Sequence, residues 1–284
     1  MFAGRVKASM ESADRALAMT RGSGHDEIVV MSLHIRGDAR CSMGDRRGLD
    51  DLREALRLAR EAGNAADIVT SNDYLADWLW AIEGPAVALP QYEEALAVAE
   101  RRGVVSQGQW TKAGSLGPLF ELGRWAEVDQ RCEELLALGA GRLDGALFAL
   151  VRTMQTRLAI LRGRPAEAAT SEELMELVRP IGELHVFAPA LLVSALVSAA
   201  AGDREAAAGY LEEFAEVTAE AATEYRQSQL ADVARLAVGV DRVELAAGMV
   251  DRGEGVGLRG TLNLLSARAT VAEARGQVAV AATR

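Results

Sequence analysis

Gly255-Val256-Gly257-Leu258-Arg259-Gly260 has the G-x-G-x-x-G spacing with which a dinucleotide-binding turn brings backbone N–H groups against a pyrophosphate. That chemistry needs a strand before the glycines, a βαβ unit around them and an acid about 20 residues on. Glu273 lies within reach of that spacing, but the preceding AAGMVDRGE reads as the end of a helix, so the segment is read as a loop between helical repeats. No G-x-x-x-x-G-K-[ST] occurs, and the lysines, Lys7 and Lys112, follow no glycine loop, which leaves no Walker-type phosphate cradle. His25, His34 and His185 lack H-x-x-x-H spacing, and Cys41 and Cys132 stand 91 positions apart with no C-x-x-C, against both a metal site and a disulfide framework. No G-x-S-x-G presents a serine nucleophile. The expectation is a chain that is not an enzyme and holds no cofactor or metal.

Recognition chemistry is better represented than catalysis. Aromatics make up only 5% of the chain, yet Trp78, Trp80, Trp110 and Trp125 all fall between residues 78 and 125. Clustered aromatics with arginine are what binding hot spots contain. The same residues at helical spacing also build cores; Trp80 and Trp125 occupy positions that pack helix on helix, whereas Tyr74, Trp78 and Trp110 stay open between core and contact surface.

The elements that must position these side chains repeat. An apolar helix ending in glycine, followed by a short polar step into a second helix, recurs at Gly4, Gly44, Gly84, Gly123, Gly163, Gly202, Gly239 and Gly276, with spacings of 40, 40, 39, 40, 39, 37 and 37. A period this regular marks a solenoid, whose units are too small to bury their own apolar face and stack on their neighbours. Leu49, Leu52, Leu56 and Leu58-Ala59 after Gly44 give the 3.6-residue spacing of the second helix. The turn glycine supplies positive φ, Asp45 and Asp203 are placed to cap the next helix, and Pro85 and Pro165 sit near helix starts. Second glycines at 63, 103, 139 and 182 close the second helices. Nothing in the alanine-rich, strand-poor remainder calls for a sheet.

Composition narrows the partners. With 31 basic against 41 acidic residues the net charge is −10, which disfavours nucleic-acid binding because phosphate contacts need clustered Lys and Arg. The charge is uneven: residues 1–63 carry eleven basic against ten acidic side chains, residues 203–254 five against twelve. Within the latter, Glu212, Glu213, Glu216 and Glu220 share one helical stripe and read as solvated surface. Val186 to Gly202 runs 17 residues without a charge, just short of a membrane span, and with Pro189 and two serines it reads as a buried repeat helix. No membrane segment is expected. MFAGRVKASMESADR lacks the apolar run of a signal peptide, and with only two cysteines the chain suits a reducing cytoplasm.

Small residues five places after the turn glycine (Val128, Ala168, Ala207 and Ala281) give the chain a tetratricopeptide-like look, although tetratricopeptide units are about 34 residues long and here the period is longer. More closely, RGDARCSMGDRRGLDDLREALRLAREAG (36–63), NDYLADWLWAIEGPAVALPQYEEALAVAERRG (72–103), LFELGRWAEV (119–128) and LLSARATVAEARGQVAVAA (264–282) are similar to the helical-repeat C-terminal part of actinobacterial signalling ATPases. Those proteins resemble one another in layout: a class III nucleotide cyclase or a DNA-binding domain, an AAA-type or STAND ATPase, then such repeats. The resemblance brings no catalytic residue with it. It implies the partner-binding or sensor arm of a signalling system, here read as one detached from a longer ancestor or as a truncated product, with partial repeats at both ends, the alternative being a stand-alone repeat protein with atypical caps.

The tetratricopeptide resemblance also places a binding groove, because first helices line the concave face in such arrays. Counting back from each turn glycine puts His34 and Asp38, Tyr74 and Trp78, Trp110 and Phe120, and Arg157 on that face. The expected fold is therefore all-α, a right-handed superhelical solenoid of helix-turn-helix repeats with a period of about 37–40 residues in one domain, 1–284. The expected function is a non-catalytic scaffold for a protein or peptide, with the effector-sensing domain, for a small molecule or peptide, of a transcriptional regulator or cyclase-linked ATPase as the alternative. Uncapped repeat ends make a homodimer plausible.

Overall fold

The computed structural model describes residues 6–20, 26–139, 141–219, 226–250 and 255–277, and among them every regular element is helical. Contacts gather into two compact units: Met1–Arg124 with Val256–Leu258, and Trp125–Gly255 with Arg259–Arg284. The first contains α1 (Val6–Thr20), α2 (Asp26–Ser42), α3 (Arg47–Ala62), α4 (Ala65–Glu83), α5 (Pro85–Arg102), α6 (Val105–Gly114) and α7 (Leu116–Glu121). In the second, α8 (Trp125–Leu136), α9 (Gly145–Leu161), α10 (Ser171–Val178), α11 (Leu184–Ala200), α12 (Arg204–Val217), α13 (Leu230–Gly239) and α14 (Val243–Val250) are followed by α15 (Gly257–Ala274), whose first two residues group with the first unit.

Within the first unit the helices pair in sequence, α2 on α3 and α4 on α5. On α3 the expected stripe is buried: Leu49, Leu52, Leu56 and Ala59 lie inside, and a fully buried leucine contributes roughly 1.5–3 kcal/mol. The α2–α3 approach is close enough that a Cβ on Gly48 would stand 2.4 Å from the Gly37 carbonyl oxygen and 2.5 Å from Cys41 Sγ. Gly84 ends α4 with its N–H on Leu79 O at 3.0 Å and a φ of 104°, which L side chains rarely adopt. Pro85 then opens α5 at a position where a missing N–H costs nothing. Asn64 caps α4 by accepting from Ala66 N and Asp67 N.

Most of the punctuation read from the sequence carries the expected backbone: Gly44, Gly63, Gly84, Gly103, Gly123, Gly139, Gly163, Gly182, Gly202 and Gly276 all have positive φ. Asp203 caps α12 through Ala206 N at 3.0 Å, and Asp45 accepts from Arg47 N at 3.0 Å. Val128 and Ala207 are fully buried. Gly4 and Ala281 lie outside the described residues.

Three local expectations are corrected. The left-handed residue after α13 is Asp241, φ 62°, not Gly239, which ends the helix; a short polar side chain tolerates that conformation. Pro165 opens a single 3-10 turn (Pro165–Glu167), and the α-helix begins only at Ser171 under a Thr170–Glu173 capping box, so Ala169 rather than Ala168 is the buried small residue. The helix expected before Gly123 is broken between α6 and α7. Pro118 removes the N–H that would bond the Gly114 carbonyl, and Ser115 Oγ donates to Lys112 O at 2.6 Å.

In the second unit the apolar stretch at Val186 forms the buried helix α11, with Leu191 fully enclosed in a core shared with Phe214 of α12 and Leu230 of α13. No helix among the described residues is long and apolar enough to cross a membrane.

Candidate functional site

Residues 40 positions apart meet across α2 and α4. The His34 and Tyr74 rings stack at 5.0 Å between centroids and 14° between planes. Four residues further along each helix, Trp78 Nε1 donates to Asp38 Oδ1 at 3.0 Å. Positions 40 residues apart on α2 and α4 are thus in register, and four of the seven residues expected in a groove meet across these two helices.

Their exposure differs from the expectation. His34 and Trp78 are only 6% exposed. His34 is held by Ser71 Oγ at 2.8 Å from Nε2, and burial lowers its pKa to about 4, so the ring is neutral near pH 7. Both belong to the α2–α4 packing rather than to a surface, with His34 Nε2 and Trp78 Nε1 each bonded to a side chain on the neighbouring helix. Tyr74 remains 37% exposed and Asp38 partly so. Trp110 is half-buried on α6, and the break in that repeat places Phe120, also half-buried, on a separate helix, α7. Arg157 lies in the second unit and is ion-paired with Asp232.

Trp80 and Trp125 are partly buried. The Trp80 ring covers Gly117, where an added Cβ would fall 2.1 Å from it, and its Nε1 donates to Glu121 Oε2 at 2.7 Å. Arg162 lies over the Trp125 ring at 5.9 Å. Of the acidic stripe on α12, Glu213 is bound by Arg179 and Glu212 by Arg242. Glu220 and His25 lie outside the described residues.

The sequence reading passed over Asp73 and Asp77, four residues apart on the same side of α4. Thr111 Oγ1 donates to Asp73 Oδ2 at 2.8 Å, while Asp73 Oδ1 is buried without a hydrogen-bond partner. Burial, reinforced by the neighbouring charge of Asp77, raises the Asp73 pKa to about 8. Asp77 accepts from the hydroxyl of buried Tyr92 and is itself exposed. Surrounding protein raises its pKa, opposed by the Tyr92 bond, and access of water moderates that rise. Asp38 is raised by burial and lowered by its Trp78 bond. Carboxyls in this state can exchange protons or pair with a cation, which would ionise them. A signal was present in the sequence: α4, AADIVTSNDYLADWLWAIE, contains three aspartates and no Lys or Arg.

The G-x-G-x-x-G segment has a structural account. No strand precedes it among the described residues, Gly257 has φ 67°, and Gly260 is buried where a Cβ would meet the Gln227 side chain at 2.8 Å. Among the described residues no group of three His, Cys, Asp or Glu side chains is placed to hold a metal ion. No family model matches the chain, and no curated protein matches its sequence.

Proposed function

We propose that the chain is a non-catalytic interaction scaffold of tetratricopeptide type, the partner-binding or sensor arm of a signalling system, in which the exposed side of α2 and α4 receives a protein or peptide. In this reading the helix pairs of the first unit stack as in a right-handed superhelix. The observation that carries the proposal is the in-register pairing of His34 with Tyr74 and Asp38 with Trp78, which fixes two first helices side by side and leaves Tyr74 and Asp77 at the surface. Rigid positioning of an aromatic surface lowers the ordering cost of binding.

Tyr74→Ala tests the reading, since Tyr74 is the exposed member of its stacked pair. The expected outcome is an unchanged far-UV circular dichroism spectrum and loss of a partner retained by the immobilised wild-type chain. Retention of every partner by a folded Tyr74→Ala variant would remove α2–α4 from the account.

A further inference from the structure

Beside the aromatic cluster, α2 leaves a large apolar strip in water. Met31 is 65% and Ile35 39% exposed, one turn apart on the side of the helix adjoining His34 and Asp38. Tyr74 continues the strip onto α4 through its stacking on His34. Acidic side chains border it. Glu27 lies one turn before Met31 and acts electrostatically on Asp67 of α4, and Asp77 lies one turn beyond Tyr74.

No cation of these helices neutralises that border. Arg36 and Arg40, the arginines of α2, are engaged by Asp51 of α3 at 2.7–2.9 Å, and α4 has none. Among the described residues Glu27, Asp67 and Asp77 have no ion-pair partner in the first unit. An apolar strip edged by uncompensated carboxylates is complementary to a segment that interleaves large apolar side chains with Lys or Arg, and repels an acidic one.

We propose that the α2–α4 face docks a basic amphipathic peptide segment of a partner protein, with apolar side chains on Met31, Ile35 and Tyr74 and cations against Glu27, Asp67 and Asp77. This rests on the scaffold reading above and specifies its partner. Ionic contacts at the rim set selectivity and rate of encounter, while the apolar strip supplies most of the affinity.

The test is fluorescence anisotropy of a short labelled amphipathic Leu/Lys peptide, and of its Leu/Glu counterpart, titrated with the full chain. The Leu/Lys peptide is expected to bind, more weakly as salt screens the rim, and the Leu/Glu peptide not to bind. Glu27→Lys and Met31→Gln, both at exposed positions and checked by circular dichroism, are each expected to weaken Leu/Lys binding by about tenfold, roughly 1.4 kcal/mol. Failure of the Leu/Lys peptide to bind, or binding indifferent to Glu27→Lys, overturns the basic-partner inference. If the Leu/Glu peptide binds instead and is weakened by Met31→Gln, the face is a docking surface of another charge preference and the scaffold reading survives. If no bound peptide or captured partner responds to Met31→Gln or Tyr74→Ala, both readings fall.

Discussion

The environment of Asp73 makes stability vary with pH. Burial raises its carboxyl pKa to about 8 in the folded chain, against about 3.8 for a solvated aspartate. The folded state therefore holds a proton that the unfolded state has released between those values, so the contribution to stability is full below about pH 4 and is lost as pH rises through about 8. Asp73→Asn keeps an acceptor for Thr111 and removes the titration. Thermal unfolding of the variant should match wild type near pH 4 and exceed it at pH 9 by at least about 2 °C, taking 1 kcal/mol as roughly 2–4 °C for a long chain; equal melting at both pH values would contradict the placement of Asp73. Trp78 and Tyr74 separate core from surface. Trp78→Ala empties a buried site and strips Asp38 of its donor, a loss of roughly 3–5 kcal/mol, whereas Tyr74→Ala at a partly exposed position should cost on the order of 1 kcal/mol. Urea unfolding of the two variants checks that ranking.

Helix pairs and their punctuation were largely readable before any coordinates. Glycine at a helix end is a direct consequence of φ, and Gly63, Gly103 and Gly182 lie where the apolar spacing stops. What was not readable was rotation about a helix axis. The groove position at Trp78 proved to be interior because its indole N–H is satisfied by Asp38, a partner 40 residues away that no local pattern reveals. The break at Ser115 likewise depends on Pro118 acting four residues upstream of itself, which separates Trp110 from Phe120. Asp73 and Asp77 were hidden because two carboxylates on a helix ordinarily read as solvated charge. Close packing between elements makes one further outcome definite. Gly48→Ala forces a methyl group into the Gly37 backbone and Cys41 Sγ, so it should destabilise the chain by roughly 1–3 kcal/mol despite alanine's better helix propensity. Chemical denaturation decides it, and a stabilised variant would mean that α2 and α3 lie further apart.

At the scale of the molecule, a net charge of −10 is distributed so that many exposed arginines are already paired, as in Arg57 with Glu54 and Glu61 or Arg275 with Glu244. Among the described residues, the α2–α4 face differs in combining exposed apolar side chains with acids that have no such partner. On this account the chain acts by holding that face rigid for a partner, in the manner proposed for the arm of a signalling assembly. The decisive measurement is backbone hydrogen exchange of the full chain with and without the Leu/Lys peptide, read helix by helix. The account predicts that added protection concentrates in α2 and α4. Protection confined to other helices, with α2 and α4 unchanged at saturating peptide, would contradict it.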